Sequence, residues 1–323
     1  MKLKKTLILL SFLFLGACGN SGTPSDSAPP SPPSPPADVE STVLSPGDYQ
    51  KNIIIGSDLR TYILHVPTHY DGSKALPLVY ILHGYGGSAA GMVKLTGMSE
   101  RADEENFFVA YLQGTKSTDG SAGWNSNLTP DTGITADDVG FVRELTQNLM
   151  GQVNLDTHRV YAAGFSNGGF MAHRLGAELP DVLAGVAVVE GTVGISHDNG
   201  VTYLTTPAAQ GPIPVLMIHG EQDTHVLYDG GVGVVDVLYA KPVSAAVDFW
   251  TSADACTGDP QEQTSTDGNV LTEDYTSCAN GSEVELLSIV NGRHEWPTLE
   301  GHTGFSATDA IWDFFSRHSK TNF

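Results

Sequence analysis

Positive charge is scarce in this chain. Its 323 residues carry 16 Lys and Arg against 37 Asp and Glu, a formal net charge of -21 at pH 7. Neutralising a phosphate backbone takes clustered Lys and Arg, so the balance argues against nucleic acid as a partner. It argues equally against a basic membrane-surface patch. Cysteine is scarcer still, and 3 residues cannot staple a disulfide scaffold. No apolar run approaches the ~20 residues of a membrane-spanning helix. What the chain does have is apolar material, 40% of its residues, enough for a substantial core and too much for wholesale disorder. The surplus acid reads as a solubility feature.

The first residues form a targeting device. Lys2, Lys4 and Lys5 precede the apolar stretch Leu7–Leu15, which ends in Leu15-Gly16-Ala17-Cys18. A basic start, a short apolar stretch and small residues make an export signal over residues 1–17. The Leu-Gly-Ala-Cys ending resembles the lipobox of bacterial lipoproteins. That resemblance implies that Cys18 is lipidated and becomes the mature N-terminus, anchoring an exported protein at the bacterial envelope. With Cys18 so committed, Cys256 and Cys278 are left as a pair in an oxidising compartment, where a disulfide between them is expected. Residues 18–45 then serve as a tether. Their Pro29–Pro36 run favours extended polyproline II and offers little to a core.

From residue 46 onward, apolar strand-like runs alternate with helical spacings. Arg60–Val66, Pro77–Leu82, Phe107–Leu112, Arg159–Phe165, Leu183–Val189, Pro214–Ile218 and Glu283–Val290 read as strands. Asp137–Gln152, Asn167–Leu179, Val243–Trp250 and Ser306–His318 read as helices. Pro260–Asp274 reads as a polar excursion with little apolar surface. Continuous apolar strands separated by helices indicate an α/β fold, a parallel sheet covered on both faces. No composition shift divides residues 46–323, which are therefore read as one domain.

The single Gly-x-Ser-x-Gly, Gly164-Phe165-Ser166-Asn167-Gly168, follows a strand and opens a helix. Its glycines permit a cramped turn that lifts the Ser166 hydroxyl clear of the sheet, with the positive helix end facing developing charge. A serine hydroxyl needs a base, and the base an orienting acid. His294 follows the strand Glu283–Val290 across a short loop, with His302 as its rival. Asp223 follows the strand Pro214–Ile218, with Glu221 and Asp229 as weaker choices and His219 and His225 as loop scaffolding. Loops beyond the carboxyl ends of parallel strands form the active face of such sheets. The order Ser166, Asp223, His294 is that of the α/β-hydrolases. The glycine loop His83-Gly84-Tyr85-Gly86-Gly87 lets backbone approach a substrate, so the Tyr85 and Asn167 N–H groups are the expected oxyanion donors.

Together these stretches resemble the esterase family of poly(3-hydroxybutyrate) depolymerases and bacterial feruloyl esterases. The matching segments are His83–Gly87, Trp124-Asn125, Asp137–Phe141, Arg159–Gly169, His219–Asp223 and Gly292–Pro297. The resemblance implies an α/β-hydrolase fold with nucleophile Ser166, base His294 and acid Asp223, and no metal or organic cofactor. It implies an ester substrate, either a hydroxybutyrate-type polyester or a feruloyl or acetyl ester of polysaccharide. Trp124 and Trp296 are expected as walls of the ester pocket. Arg293 stands where the family usually has glycine, which alters the pocket rim. Two other readings remain, a serine peptidase of the same fold and a surface-binding protein that has lost the chemistry.

Overall fold

Strand Leu76–Leu82 sends Leu78, Tyr80 and Leu82 into one hydrophobic core and Val79 and Ile81 into another. That alternation, the period-2 geometry of a pleated strand, shows a sheet buried on both faces. The computed structural model describes residues 44–234 and 239–320. The expected signal segment, Cys18 and all but the last two residues of the expected tether lie outside the described residues.

Ten strands form the main sheet: β1 Gly47–Ile55, β2 Asp58–Val66, β3 Leu76–Leu82, β4 Phe108–Leu112, β5 Leu155–Phe165, β6 Gly185–Val189, β7 Val215–Gly220, β8 Gln261–Thr264, β9 Val270–Tyr275 and β10 Val284–Ile289. Their spatial order is β1-β2-β4-β3-β5-β6-β7-β10-β9-β8. The six central strands, β4 to β10 in that order, run parallel. Antiparallel pairs close both edges. Helices α1 Ala89–Thr96, α2 Met98–Glu105 and α6 Ala307–Ser316 cover one face. Helices α3 Asp138–Met150, α4 Asn167–Glu178 and α5 Val243–Ala253 cover the other. The mostly parallel α/β sheet expected from the apolar runs is thus present.

The structure differs from that expectation at the edge. Residues 260–274 are not an irregular excursion: β8 and β9 pair as a hairpin, and β9 extends the sheet beside β10. All four residues of β8 are exposed, so no apolar alternation marks the strand. Its ladder hydrogen bonds do the work that burial does elsewhere. A disulfide joins Cys256, just beyond α5, to Cys278, just beyond the hairpin, as expected. Helices α1 and α2 fill the connection between β3 and β4. Ser88 Oγ caps α1 by accepting the Gly91 N–H at 3.1 Å. Among the described residues, no helix is long and apolar enough to cross a membrane.

Candidate active site

Three loops leave the carboxyl ends of β5, β7 and β10 and converge. After β5 the chain turns so sharply that Ser166 sits at φ 54° and ψ -118°, a backbone conformation costing a non-glycine residue on the order of 1–3 kcal/mol. The turn is held because Ser166 N–H donates to Val189 O at 2.9 Å and Phe170 N–H to Ser166 O at 2.9 Å. A Cβ at Gly164 would run into the Gly168 carbonyl, and one at Gly168 into the Leu82 carbonyl. Those two glycines of the pentapeptide are therefore steric requirements of the turn.

After β7, Asp223 is 3% exposed. Its Oδ1 accepts the His225 N–H at 2.7 Å and the Val226 N–H at 3.0 Å. Oδ2 faces His294 Nδ1 at 2.7 Å. His294 Nε2 in turn lies 3.0 Å from Ser166 Oγ. The carboxylate accepts only, so Nδ1 carries the hydrogen that it receives, and Nε2 is positioned to accept the serine proton. The two loops are zipped together: Gln222 N–H donates to Gly292 O at 2.9 Å, and Gly220 and Gly292 pack backbone to backbone with no room for a side chain. Burial works against charge on Asp223, but the hydrogen bonds around the carboxyl, that from His294 among them, outweigh it and hold the carboxyl below the usual carboxylate range.

The glycine loop after β3 is fixed from below. His83 Nδ1 donates to Gly84 O at 2.7 Å, and its Nε2 accepts the Gly114 N–H at 3.0 Å. Burial lowers the pKa of this imidazole, opposed in part by the Gly84 bond, which suits a neutral ring. Gly86 N–H donates to Ala122 O at 2.8 Å and Gly87 N–H to Gly84 O at 2.9 Å. The Tyr85 and Asn167 amides have no acceptor among the described residues. Donors that are fixed and unspent at a site where negative charge develops are the requirement for oxyanion stabilisation.

A cavity of about 410 Å³ opens at Ser166, bounded by Tyr85, Asp119, Asp131, Phe170, His197 and Val226. The two tryptophans expected on its wall are elsewhere. Trp124 is 1% exposed and lies behind the glycine loop, its Nε1–H donating to His83 O and its backbone N–H to Asn167 Oδ1, both at 2.8 Å. It braces both expected oxyanion segments and does not line the pocket. Trp296 is buried in the α6-side core, with Nε1–H on Thr308 Oγ1 at 3.0 Å. Both indoles have a buried donor to satisfy, and each finds its partner inside the protein.

Of the rivals, His302 donates Nε2–H to Asn291 O at 2.9 Å and pairs through Nδ1 with Glu295 at 2.8 Å. It takes no part in the Ser166 contact. Glu221 and Asp229 are exposed. His219 is buried and donates Nε2–H to Val226 O at 2.8 Å, the scaffolding role expected of it. One residue of the site escaped sequence reasoning. Glu190, fully buried at the carboxyl end of β6, accepts the Gly220 N–H. Its only sequence signal is an acid closing the apolar run Val186–Val189. Glu190, His219 and Asp223 bring ligand-type atoms within 4.8 Å of one another, the one such cluster among the described residues.

The family model described as esterase PHB depolymerase matches residues 60–235. A protein of Nocardia uniformis subsp. tsuyamanensis named as esterase NocK is 32% identical over 273 residues, covering 76% of this chain and 73% of the relative. Feruloyl esterase B of Piromyces equi is 31% identical over 265 residues, 80% of this chain but only 45% of that longer protein. Among solved structures, acetyl xylan esterase from Aspergillus awamori shares the fold with a TM-score of 0.60 at 14% identity, over 84% of this chain and 99% of that one.

Proposed function

The chain belongs to the PHB depolymerase esterase family, and on that premise we propose that it is a serine carboxylic-ester hydrolase working through an acyl-enzyme. Ser166 Oγ attacks the ester carbonyl while His294 Nε2 takes its proton. Asp223 holds the ring in the Nδ1–H tautomer and stabilises the imidazolium. The Tyr85 and Asn167 N–H groups receive the oxyanion. His294 then returns the proton to the departing alcohol, and water repeats the sequence to release the acid. The observation that carries this reading is the continuous relay of 3.0 Å from Ser166 Oγ to His294 Nε2 and 2.7 Å from His294 Nδ1 to Asp223 Oδ2.

The substrates are feruloyl or acetyl esters of polysaccharides, or hydroxybutyrate-type oligomers. The names of the relatives support the first group and the family description the second. We place the catalytic domain at residues 46–323, exported and held at a bacterial membrane through lipidated Cys18. The basic start, the Leu15–Cys18 ending and the proline-rich stretch support that location.

The test is turnover of p-nitrophenyl acetate and butyrate, methyl ferulate, hydroxybutyrate oligomers and a peptide anilide by wild type and Ser166→Ala. Ester turnover abolished by Ser166→Ala is expected. Activity surviving that substitution, or confined to the anilide, overturns the reading.

A further inference from the structure

Glu190 is a second carboxyl group beside the orienting acid. It sits at φ 53°, one residue beyond Val189, whose carbonyl holds the Ser166 N–H. Its N–H donates to Ile218 O at 2.9 Å, and its carboxyl accepts the Gly220 N–H at 3.0 and 3.2 Å. The residue is thus pinned between the strand that delivers Ser166 and the strand that delivers Asp223. Its side chain is fully buried, Asp223 is 3% exposed, and a carboxyl oxygen of each lies within 4.8 Å of the other's.

Two carboxylates this close cannot both remain charged inside a protein, and a proton on one of them relieves the repulsion. The donors decide which group carries it. Asp223 receives the His225 N–H, the Val226 N–H and His294 Nδ1–H. Glu190 receives a single backbone donor, the Gly220 N–H. His219 lies nearby, 3.3 Å from Glu190 Oε2 and 3.4 Å from Asp223 Oδ2. Its Nε2–H is directed to the closer Val226 O at 2.8 Å. Glu295 contributes further negative charge. The better-solvated anion is Asp223, so the proton belongs on Glu190. Burial, then the neighbouring Asp223 carboxylate, push the Glu190 carboxyl well above its ordinary value.

We propose that Glu190 is a positioning residue: a neutral carboxylic acid that donates its O–H to Asp223 and fixes the carboxylate oxygen facing His294. It touches neither substrate nor the reacting atoms. Its effect reaches the serine only through the orientation of Asp223 and, through it, of the imidazole. This rests on Ser166, Asp223 and His294 acting as proposed.

The test has a spectroscopic arm and a kinetic arm, with Ser166→Ala measured alongside. The infrared difference spectrum of wild type minus Glu190→Gln at pH 7 should show a protonated-carboxyl C=O band above the amide region. Taking the difference removes any contribution from other carboxyl groups. Glu190→Gln keeps an N–H donor for Asp223 and a carbonyl for Gly220, so kcat should stay within about threefold of wild type. Glu190→Leu removes the donor, and kcat should fall about 10–100-fold with KM little changed, the scale seen when an outer partner of a functional group is lost. If Glu190→Leu does not fold, the Gln variant and the spectrum still decide. Absence of the band, wild-type kcat in Glu190→Leu, or a severe loss in Glu190→Gln overturns the proposal. So does activity removed by EDTA and restored by a divalent metal, because an ion would then occupy the place of the proton. Activity that survives Ser166→Ala instead overturns the triad reading and leaves the spectroscopic result standing on its own.

Discussion

The imidazole of His225 lies against that of His294, ring centroids 4.5 Å apart and planes 26° from parallel. Phe165 meets the same ring with a centroid separation of 5.1 Å. Together with the Asp223 bond, these contacts restrict the tilt of the ring that must face Ser166. Aromatic pairs contribute about 0.5–1.5 kcal/mol beyond their burial. His225→Ala should therefore lower kcat by roughly 2–10-fold, whereas His225→Phe should retain most activity. Steady-state kinetics on p-nitrophenyl butyrate checks this. Equal losses in both variants would show that His225 acts through its polar atoms and not through stacking.

Asp137 and Asp138 do different work at the start of α3. Asp137 caps α3 by accepting the Gly140 N–H at 2.8 Å. Asp138 pairs with Arg60 at 2.6 Å, the two being 1% and 2% exposed, and also accepts the Asn125 N–H at 2.7 Å. Asn125 adjoins Trp124, which braces the glycine loop. Asp138→Ala strands a buried guanidinium, a loss on the order of 3–5 kcal/mol. A melting temperature lower by about 10 °C is expected, together with reduced kcat as the Trp124 segment loosens. Calorimetry and kinetics on the same preparation check both. An unchanged melting temperature would mean that water reaches Arg60.

How much of this was legible in advance follows the physics of each signal. The run Pro77–Leu82 announces a strand because burial on both faces leaves it no polar positions. Ser166 is visible because the turn excludes side chains at Gly164 and Gly168. Asp223 and His294 are visible because each follows such a strand. The hairpin of β8 and β9 is hard to read because β8 is exposed throughout and β9 packs little more than Val270 and Tyr275 against the core, so neither strand shows an apolar alternation. Trp124 was misplaced because an indole looks the same in a sequence whether it walls a pocket or braces a loop. Glu190 was missed because its importance comes from Asp223, a neighbour 33 residues away in sequence, brought close only by the pairing of β6 with β7.

The Cys256–Cys278 disulfide ties the end of α5 to the exit of the edge hairpin, closing a loop of sequence separation 22. Thr257 N–H donates to Ser277 O at 2.9 Å just inside the crosslink, so the strands remain registered without it. The chain-entropy view gives a loop of this size about 3 kcal/mol. Replacing both cysteines with serine should lower the melting temperature by roughly 6–12 °C and leave kcat/KM at 25 °C within about twofold. Coincident melting curves for the two proteins would refute the stabilising role.

Asp254 makes stability depend on pH. It is fully buried at the end of α5, where Oδ1 accepts the Ile213 N–H at 3.2 Å while Oδ2 has no partner. Burial pushes its carboxyl up to about 7, opposed in part by the bond from the Ile213 N–H. In the unfolded chain the same group titrates near about 3.9. Between those values the folded protein holds a proton that the unfolded chain has released. The stability contributed by this group is therefore complete below about pH 4 and is lost as pH rises through about 7, at up to about 1.4 kcal/mol per pH unit inside that window. Asp254→Asn keeps the acceptor for Ile213 and cannot ionise. The advantage of the variant over wild type should be smallest at pH 5, grow as pH rises to about 7 and be fully developed at pH 8. Subtracting the two curves cancels every other titrating group common to both proteins. Denaturant melts from pH 5 to 8 give the difference directly, and parallel curves across that range would mean that Asp254 ionises in the folded protein as readily as in the unfolded chain.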